Sequence, residues 1–208
     1  MQILKLGLAR ASDIGGDVCE HQLTIMRDAG VYRHLLCRNP KFDKMYAFEI
    51  ITAPNLLLFH GDCGTFVFSR LHDMFQFFRA DCVRSDLPLG YWSEKIEAAP
   101  AGIDVMLYSQ RLAEDGIQAV FDAWAQSQSL QGSELEHAQQ ELDDQILIHC
   151  DSLDALFDCI GTELECGYTF DIVDVNYRTL HPAAIWCMYA IVWAIQQYDK
   201  AKESKEQK

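Results

Sequence analysis

The chain has 208 residues, enough for one domain with a sizeable core or for two small ones. Half of its residues are apolar, 23% are charged and the formal net charge is −14, which excludes wholesale disorder and disfavours direct binding to nucleic acid. The longest apolar run, from Ala183 to Ile195, has 13 residues, fewer than the roughly 18 that a membrane span needs. With no clear secretory signal at its start, we expect a soluble intracellular protein without membrane contact.

The first part of the chain contains one predicted helix and four predicted strands. Residues 17–29 predict a short helix that ends at Gly30, a common helix-terminating residue. The four strands are predicted over residues 31–38, 45–52, 55–60 and 65–69. The tetrapeptide at 61–64, Gly-Asp-Cys-Gly, suits a tight hairpin loop, and the other connections are also short. Short connections of this kind predict an antiparallel meander.

Two helices are predicted to follow the meander. Leu71, Met74, Phe75 and Phe78 recur at the spacing of one helical face. Ser69 is positioned to cap this first helix, which we expect to pack across the sheet. After the break at Pro88 and Gly90, residues 91–98 predict a shorter helix.

The second half of the chain is predicted to be mainly helical. Apolar stripes at helical spacing occur within residues 117–124, 135–146 and 153–160. Ser133 and Glu136 match a capping box at the start of the second stripe. The polar segment 126–132 predicts a connector, and it is the candidate hinge between two lobes, 1–125 (α+β) and 133–208 (mainly helical).

The last part of the chain predicts one strand and one long helix. Residues 168–177 are rich in β-branched and aromatic residues and predict a strand, with a bulge where the apolar face switches between Ile172 and Val173. A helix is predicted from Pro182, and it is apolar nearly all round as far as Ile195. Such a helix is buried either in the core or at an interface between two copies of the chain, so a homodimer is one expectation.

These elements together predict an α+β fold. An antiparallel β-meander packed by a helix is followed by a mainly helical, acidic half and a buried C-terminal helix. We expect residues 1–208 to form a single compact unit, with the two lobes as the alternative organisation.

Motifs for catalysis and cofactor binding are absent from the sequence. It contains no P-loop, no G-x-G-x-x-G, no G-x-S-x-G and no H-E-x-x-H. The eight cysteines form no C-x-x-C pair and have no zinc-site spacing with the seven histidines. We therefore expect free thiols, no bound metal and no cofactor, and we assign no catalytic residue.

Two polar clusters are alternative candidates for a ligand site. Near the hairpin, the tight turn would present Asp62 outward and Arg70 would hold an anion, and in the second cluster Tyr91 and Trp92 would stack on a planar ligand. The full set of candidates is His60, Asp62, Arg70, Tyr91, Trp92 and Lys95. Structural roles explain the same residues, since Asp62 can bond the turn backbone and Trp92 can anchor the core.

The negative charge is concentrated in residues 111–174, which hold 15 acidic residues and one basic residue, Arg111. Like charges three or four positions apart on a helix cost a few tenths of a kcal/mol per pair, and no lysines are interleaved to offset this. The segment is therefore either a solvated surface or a surface that meets a basic partner. The partner-binding candidates are Glu134, Glu136, Glu141, Asp143, Asp144, Asp151, Asp154 and Asp158.

Four stretches carry a family resemblance: RDAGVYRHLLCRNP, FEIITAPNLLLFHGDCGTFVFSRLHDMFQFFR, GYWSEKIEA and IWCMYAIVWAIQQYD. The chain resembles an uncharacterised family of phage and prophage proteins, most strongly over residues 27–98 and again over 185–199. Its core string is GD-x-GTFVFSR followed by DMF-x-FF. The resemblance implies a viral origin and action in the cytoplasm of a bacterial host. It implies no activity and no catalytic residue.

The charge and the resemblance together favour a non-enzymatic inhibitor of a bacterial defence system, as anti-CRISPR proteins are. Its acidic surface would occupy the groove of a basic, nucleic-acid-binding host protein or defence complex. Two alternatives stay open. One is a nucleotide or other small-molecule binding protein, such as a sponge for second messengers, and the other is an enzyme with a site assembled around His60 and Asp62.

Overall fold

The computed structural model describes residue 18 and residues 20–41, 45–81 and 87–206, and it confirms the predicted α+β fold. The chain divides into two compact units. The sheet unit comprises residues 1–105 and 180–208, and the helical unit comprises residues 106–179. These boundaries differ from those of the predicted lobes, because the C-terminal helix belongs to the sheet unit and the segment 126–132 lies inside the helical unit.

The sheet unit contains a six-stranded antiparallel meander. Its strands are β1 (Gln22–Ala29), β2 (Tyr32–Arg38), β3 (Phe48–Ala53), β4 (Leu56–Gly61), β5 (Gly64–Phe68) and β6 (Ile96–Ala98). Each strand pairs with the next one along the chain, so the order in the sheet is the order in the sequence. Strands β2 to β5 correspond to the four predicted strands, and the predicted meander is confirmed.

The described residues also form six α-helices and one further pair of strands. The helices are α1 (Met74–Asp81), α2 (Leu89–Ser93), α3 (Gln110–Gln128), α4 (Ser133–Gln145), α5 (Leu153–Asp158) and α6 (Pro182–Glu206). A 3₁₀ turn follows α4 at Leu147–His149. The strands β7 (Met106–Tyr108) and β8 (Arg178–Leu180) form a small sheet of their own.

One face of the meander is buried by helices of the sheet unit. The buried apolar strand residues alternate along their strands as one face of a sheet requires; they are Leu35, Cys37, Phe48, Ile50, Leu57, Phe59, Phe66 and Phe68. α6 belongs to the same core, where Trp186 packs edge-on against Phe48 and Phe59 at 5.7 and 6.1 Å between ring centroids. The predicted buried helix from Pro182 is thus confirmed, and burial within its own chain accounts for its apolar circumference.

The helix predicted over residues 17–29 is wrong, because residues 22–29 form strand β1. Leu23 and Ile25 are half-buried and pack against the core, while Gln22 and Thr24 are exposed, which is the alternation of a strand. Gly30 (φ 64°) lies in the tight turn to β2 rather than at a helix end. Pairing with β2 outweighs the local helix propensity of this segment. Residues 17 and 19 lie outside the described residues.

Two predictions about the segment after the meander are also wrong. Ser69 does not cap α1: the helix begins at Met74, and a carboxylate oxygen of Asp73 accepts the Phe75 N–H at 2.9 Å. Leu71 lies before the helix and is 42% exposed. The helix predicted over 91–98 is shorter, because α2 ends at Ser93 and β6 then pairs with β5 to complete the sheet.

The helical unit has a core of its own, which matches the predicted apolar stripes only in part, because Leu135, Phe157 and Ile160 of those stripes are exposed. Its buried helix residues are Ala113, Ile117, Phe121 and Ala125 on α3, Ala138 and Leu142 on α4, and Leu156 on α5. The predicted capping box is wrong, because α4 begins at Ser133 after Gly132 and no side chain bonds its first turn at the cap. Ser152 caps α5 by accepting the Ala155 N–H at 3.2 Å.

The strand predicted over residues 168–177 is wrong as well. Thr169 makes an isolated bridge with Glu163, and the strand β8 begins only at Arg178. The apolar residues of this segment are buried from a loop instead. Tyr168 packs edge-on against Phe121 on α3, at 5.3 Å between ring centroids. Three backbone hydrogen bonds, from Gly161 to Phe170, from Phe170 to Thr162 and from Leu164 to Tyr168, pair the start of the segment with residues 161–164. A short irregular pairing and aromatic packing thus take the place of the predicted strand.

A buried ion pair joins β2 to the start of α1. Arg33, which is 8% exposed, donates two hydrogen bonds to the Asp73 carboxylate at 2.8 and 3.0 Å. Its guanidinium also lies 4.5 Å from the centre of the Phe75 ring. Burial alone would raise the pKa of Asp73, but the hydrogen bonds from Arg33 and the Phe75 N–H lower it below its ordinary value of 3.8. The pair therefore stabilises the folded state wherever Asp73 is ionised.

We predict that Asp73→Asn lowers the free energy of unfolding at pH 7 by about 3–5 kcal/mol, because it leaves the Arg33 charge buried without its partner. In the parent protein this contribution is complete above pH 3.8 and is lost as the pH falls through the lower pKa of the folded state. Urea titrations at pH 7 and below pH 4 measure both effects. Asp104→Asn, a change at an exposed position of the same unit, is the control. Equal stability of Asp73→Asn and the parent at pH 7 would contradict this assignment.

Candidate functional site

The helical unit carries almost all of the surplus negative charge. Residues 106–179 hold 15 acidic residues and two basic residues, Arg111 and Arg178. Thirteen of the acidic side chains are exposed, and Glu114 and Glu141 are half-buried. The eight predicted partner-binding residues are among these fifteen: Glu134, Glu136, Glu141, Asp143, Asp144, Asp151, Asp154 and Asp158. The acidic segment is therefore a charged surface in the structure and not a set of buried ion pairs.

Few of these carboxylates have a cationic neighbour. Arg111 lies 3.6 Å from Asp115, one turn along α3, and both side chains are largely exposed. Arg178 lies over the ring of Tyr177 instead, at 5.2 Å from its centre. Among the described residues, no other ion pair involves a carboxylate of the helical unit. Most of its negative charge is thus uncompensated within the part of the chain that the structure describes.

Glutamines, rather than lysines, hold several of the carboxylates in place. In four pairs a glutamine amide donates to the acidic residue four positions later on the same helix, at 2.7–3.0 Å: Gln110–Glu114, Gln118–Asp122, Gln139–Asp143 and Gln140–Asp144. Such pairs stabilise a helix by about 0.2–0.5 kcal/mol, as a lysine partner would. Unlike lysine, glutamine leaves the carboxylate charge unneutralised. These pairs were not predicted, although their four-residue spacing is visible in the sequence.

Two of these pairs are linked across α3 and α4. Gln118 and Gln139 exchange reciprocal amide hydrogen bonds at 2.7 and 2.9 Å. Gln118 also donates to Asp122, and Gln139 also donates to Asp143. The resulting chain of four side chains fixes one carboxylate on each helix relative to the other. Ordered carboxylates lose less side-chain entropy when a partner binds them.

Three acidic residues stand where the helix dipole disfavours them. Asp143 and Asp144 lie in the last turn of α4, and Asp158 is the last residue of α5. A negative charge at a helix C-terminus costs about 0.3–1 kcal/mol, and neither helix has a lysine or arginine in its last turn. For Asp143 and Asp144 this cost offsets the roughly 0.2–0.5 kcal/mol that their glutamine pairs contribute, so these charges add little net stability to the helices.

Two recesses interrupt the acidic surface. One, of about 350 Å³, has Leu130 and Ala138 in its lining together with Glu134, Glu141 and Glu165. The other, of about 500 Å³, is lined by residues that include Asp144, Asp158 and His149. Apolar walls next to carboxylates match the aliphatic stem and the charged end of a lysine or arginine side chain. Neither recess could be predicted from the sequence, because both depend on how helices and loops meet.

The negative field extends to titratable groups inside the helical unit. Burial, followed by the charges of its neighbours, raises the pKa of Tyr108 to about 12 and that of Cys150 to about 11. Glu114 and Asp151 contribute to both shifts. The Tyr108 hydroxyl donates to the Cys150 carbonyl at 2.8 Å, so both groups are neutral parts of the fold at pH 7.

The ligand-site candidates of the hairpin have structural partners. His60 and Asp62 line a shallow depression of about 280 Å³ with Glu49, and its lining includes neither Arg70 nor Trp92. The Thr65 hydroxyl hydrogen bonds with His60 Nδ1 at 2.8 Å. Asp62 accepts the backbone N–H of Tyr46 at 2.7 Å. The two residues are thus close together, but Asp62 is engaged by the neighbouring loop.

The contact of Asp62 explains an unusual backbone conformation. Tyr46 has φ 55°, in the left-handed region that bulky residues rarely adopt. The Asp62 carboxylate holds its N–H, and its ring stacks on Trp186 at 5.6 Å between centroids. Gly64, at the end of the same hairpin loop, cannot be replaced by a larger residue without strain. It has φ 104°, and a Cβ at this position would lie 2.3 Å from Pro100.

The second ligand cluster is divided between core and surface. Trp92 is fully buried and packs against Phe78 at 4.8 Å between ring centroids, so its ring cannot stack on a ligand. Lys95 lies 4.9 Å from the centre of the Tyr91 ring and forms an ion pair with Glu94 at 3.2 Å. Arg70 is exposed in the segment just after β5. The burial of Trp92 agrees with the core-anchoring interpretation of that residue.

The described residues offer no metal centre or membrane-crossing helix. Six cysteines lie among them, and all six are free thiols. No three His, Cys, Asp or Glu side chains in this part of the chain are grouped so that they would hold a metal ion. None of the helices in it combines the length and the apolarity that crossing a membrane requires. Burial raises the pKa of the Cys37 thiol to about 12, so this buried thiol is not a nucleophile at neutral pH.

Comparisons of the chain with protein-family models, with curated proteins and with solved structures found no match. The resemblance to phage and prophage proteins therefore stays a prediction from the sequence. The evidence for a function therefore consists of the charge, exposure and contacts of the residues themselves.

We predict that Asp62→Ala lowers the free energy of unfolding by about 1–2 kcal/mol, because the N–H of Tyr46 loses a charged acceptor. Asp62→Asn keeps an acceptor oxygen and is expected to cost less than about 1 kcal/mol. Chemical denaturation at pH 7 measures both, and His60→Ala, at an exposed side chain, is the control, expected to change stability by less than about 0.5 kcal/mol. If Asp62→Ala were as stable as the parent, Asp62 would be free of its structural role and available for a ligand.

Proposed function

We propose that this protein is a non-enzymatic inhibitor that binds a basic, nucleic-acid-handling protein through its helical unit. The observation that carries the proposal is the set of 15 acidic residues in residues 106–179, of which 13 are exposed and few have a cationic neighbour. The resemblance to phage and prophage proteins favours a bacterial defence complex as the target, bound in the host cytoplasm in an anti-CRISPR-like manner. Direct binding to nucleic acid is disfavoured, because phosphates would meet like charge.

The alternative explanation for the acidic surface is solubility alone. A solubility surface works with charges of mixed sign, and it gains nothing from acidic residues at helix C-termini. It also has no need of ordered carboxylates, whereas Gln118 and Gln139 hold Asp122 and Asp143 in fixed positions on two helices. Uncompensated, ordered and unfavourably placed charges together support a binding surface.

The proposed mechanism is occupation of a groove that normally holds nucleic acid. Lysine and arginine side chains that contact phosphates would contact the carboxylates of α4 and α5 instead. The two recesses, lined by Glu134, Glu141 and Glu165 and by Asp144 and Asp158, would each admit a cationic side chain. Electrostatic steering makes such association fast, up to about 10⁸–10⁹ M⁻¹s⁻¹ at low salt, and strongly dependent on ionic strength.

A four-acid variant tests this proposal: Glu141→Gln, Asp143→Asn, Asp144→Asn and Asp158→Asn. Each change keeps the side-chain shape, and three of them remove a charge that opposes a helix dipole, so we expect stability equal to or above that of the parent. The matched control removes four exposed acids of the sheet unit: Glu94→Gln, Glu97→Gln, Asp104→Asn and Glu203→Gln. Thermal unfolding of all three proteins verifies that any effect on binding is not an effect on folding.

The immobilised proteins are exposed to bacterial lysate and washed at low and then at high salt, and both eluates are identified by mass spectrometry. We expect the parent and the control to release basic nucleic-acid-binding proteins at high salt, and the four-acid variant to capture them about tenfold less or worse. Equal capture by the four-acid variant would show that the helical unit is not the binding surface. Capture dominated by proteins without a basic surface would contradict the proposal in the same way.

A further inference from the structure

A short helix of the acidic surface also exposes apolar side chains. Phe157 on α5 is 41% exposed, and Ile160, in the turn after α5, is 44% exposed. The Ile160 N–H donates to the Phe157 carbonyl at 3.2 Å, so the two residues lie one helical turn apart. This pair, called here the apolar pair, is separate from the buried residue Leu156, which faces the core of the helical unit.

Three acidic residues lie close to the apolar pair along the chain. Asp154 lies three positions before Phe157, so the two side chains share a face of the helix. Asp158 directly follows Phe157. Asp151 lies just before the Ser152 cap, and the side chains of all three aspartates are exposed. None of the three forms an ion pair among the described residues. The patch therefore combines two apolar side chains with three negative charges.

The position of Phe157 is fixed by its neighbours. The Phe157 ring packs edge-on against the Tyr177 ring, with 6.4 Å between the centroids. The Arg178 guanidinium lies over the Tyr177 ring, 5.2 Å from its centre. The Ser152 cap orders the first turn of the helix. An aromatic side chain held in this way loses little conformational freedom when a partner covers it.

Resting on the proposed function, we infer that the apolar pair is the anchor of the acidic surface, and that its partner presents an amphipathic basic segment. Such a segment places an apolar side chain on Phe157 and Ile160 and lysines or arginines on Asp151, Asp154 and Asp158. In protein interfaces the charges guide encounter and partner choice, while a few desolvated aromatic or aliphatic side chains supply most of the affinity. A polyphosphate chain has no counterpart for the apolar pair, so on this helix the surface departs from mimicry of nucleic acid.

The inference is tested with two labelled peptides of identical lysine, leucine and alanine content. One arranges its leucines on one helical face, and the other is a shuffled sequence without such a face. Fluorescence anisotropy measures the affinity of the full-length protein for each peptide at about 0.05 and 0.15 M salt. We expect the parent to bind the amphipathic peptide about tenfold more tightly than the shuffled one, which corresponds to about 1.4 kcal/mol.

The variant Phe157→Ser/Ile160→Ser is expected to bind both peptides equally, with the affinity and salt dependence that the parent shows for the shuffled peptide. Val173→Ser is the control, because Val173 is 80% exposed and lies between Asp171 and Asp174 in the same unit. We expect it to keep the tenfold preference. Ile160→Ser alone, outside the helix, preserves the contact of Phe157 with Tyr177 and is expected to reduce the preference about threefold.

The possible results separate this inference from the proposed function. No preference in the parent, or an unchanged preference in Phe157→Ser/Ile160→Ser, overturns the anchor while the charge-dependent binding stands. The four-acid variant is expected to bind both peptides more weakly by a similar factor. If the parent binds neither peptide, or the four-acid variant binds both as the parent does, the anchor and the proposed function are both overturned.

Discussion

The burial of the C-terminal helix against the meander is the constraint on which the rest of the structure depends. Six strands expose a broad apolar face, and α1, with eight residues, is too short to cover it. α6 has 25 residues and places Trp186 and its neighbours against that face, so the end of the chain has to return to a sheet formed at its beginning. Residues 106–179 are consequently an insertion between the last strand of the sheet and the helix that covers it. Because this insertion has a hydrophobic core of its own, its surface does not have to serve the sheet.

The separate cores of the two units explain where the negative charge lies. In the sheet unit, individual acidic residues have structural partners: Asp73 pairs with the buried Arg33, and Asp62 accepts the backbone N–H of Tyr46. In the helical unit the carboxylates point to solvent, glutamines order several of them, and some stand at helix ends where they cost stability. The carboxylates of this surface are ordered but keep their charge, and some of them lower the stability of their own helices. Such a surface is suited to a basic partner. This contrast is the basis of the function that we propose.

The sequence was most informative where a pattern is local and is reinforced by packing. The alternation in β2 to β5 and the apolar run after Pro182 predicted a sheet and a buried helix, both of which the structure contains. It misled where tertiary pairing decides: Leu23 and Ile25 belong to a strand because β2 lies beside them, and Tyr168 is buried from a loop because α3 offers it Phe121. For the site, the acidic residues could be named from composition. The recesses, the link between Gln118 and Gln139 and the exposure of Phe157 could not, because each depends on the distance between elements remote in sequence.

The most direct test of the central claim is a competition titration with the captured basic protein. The purified partner is loaded with a labelled nucleic acid, the present protein is added in increasing amounts, and release of the label is followed with the total salt held constant. Our account predicts that the nucleic acid is displaced in proportion to the protein bound, at one copy per groove, because both ligands use the same lysines and arginines. A stable ternary complex, in which the partner holds the nucleic acid and this protein together, would contradict it.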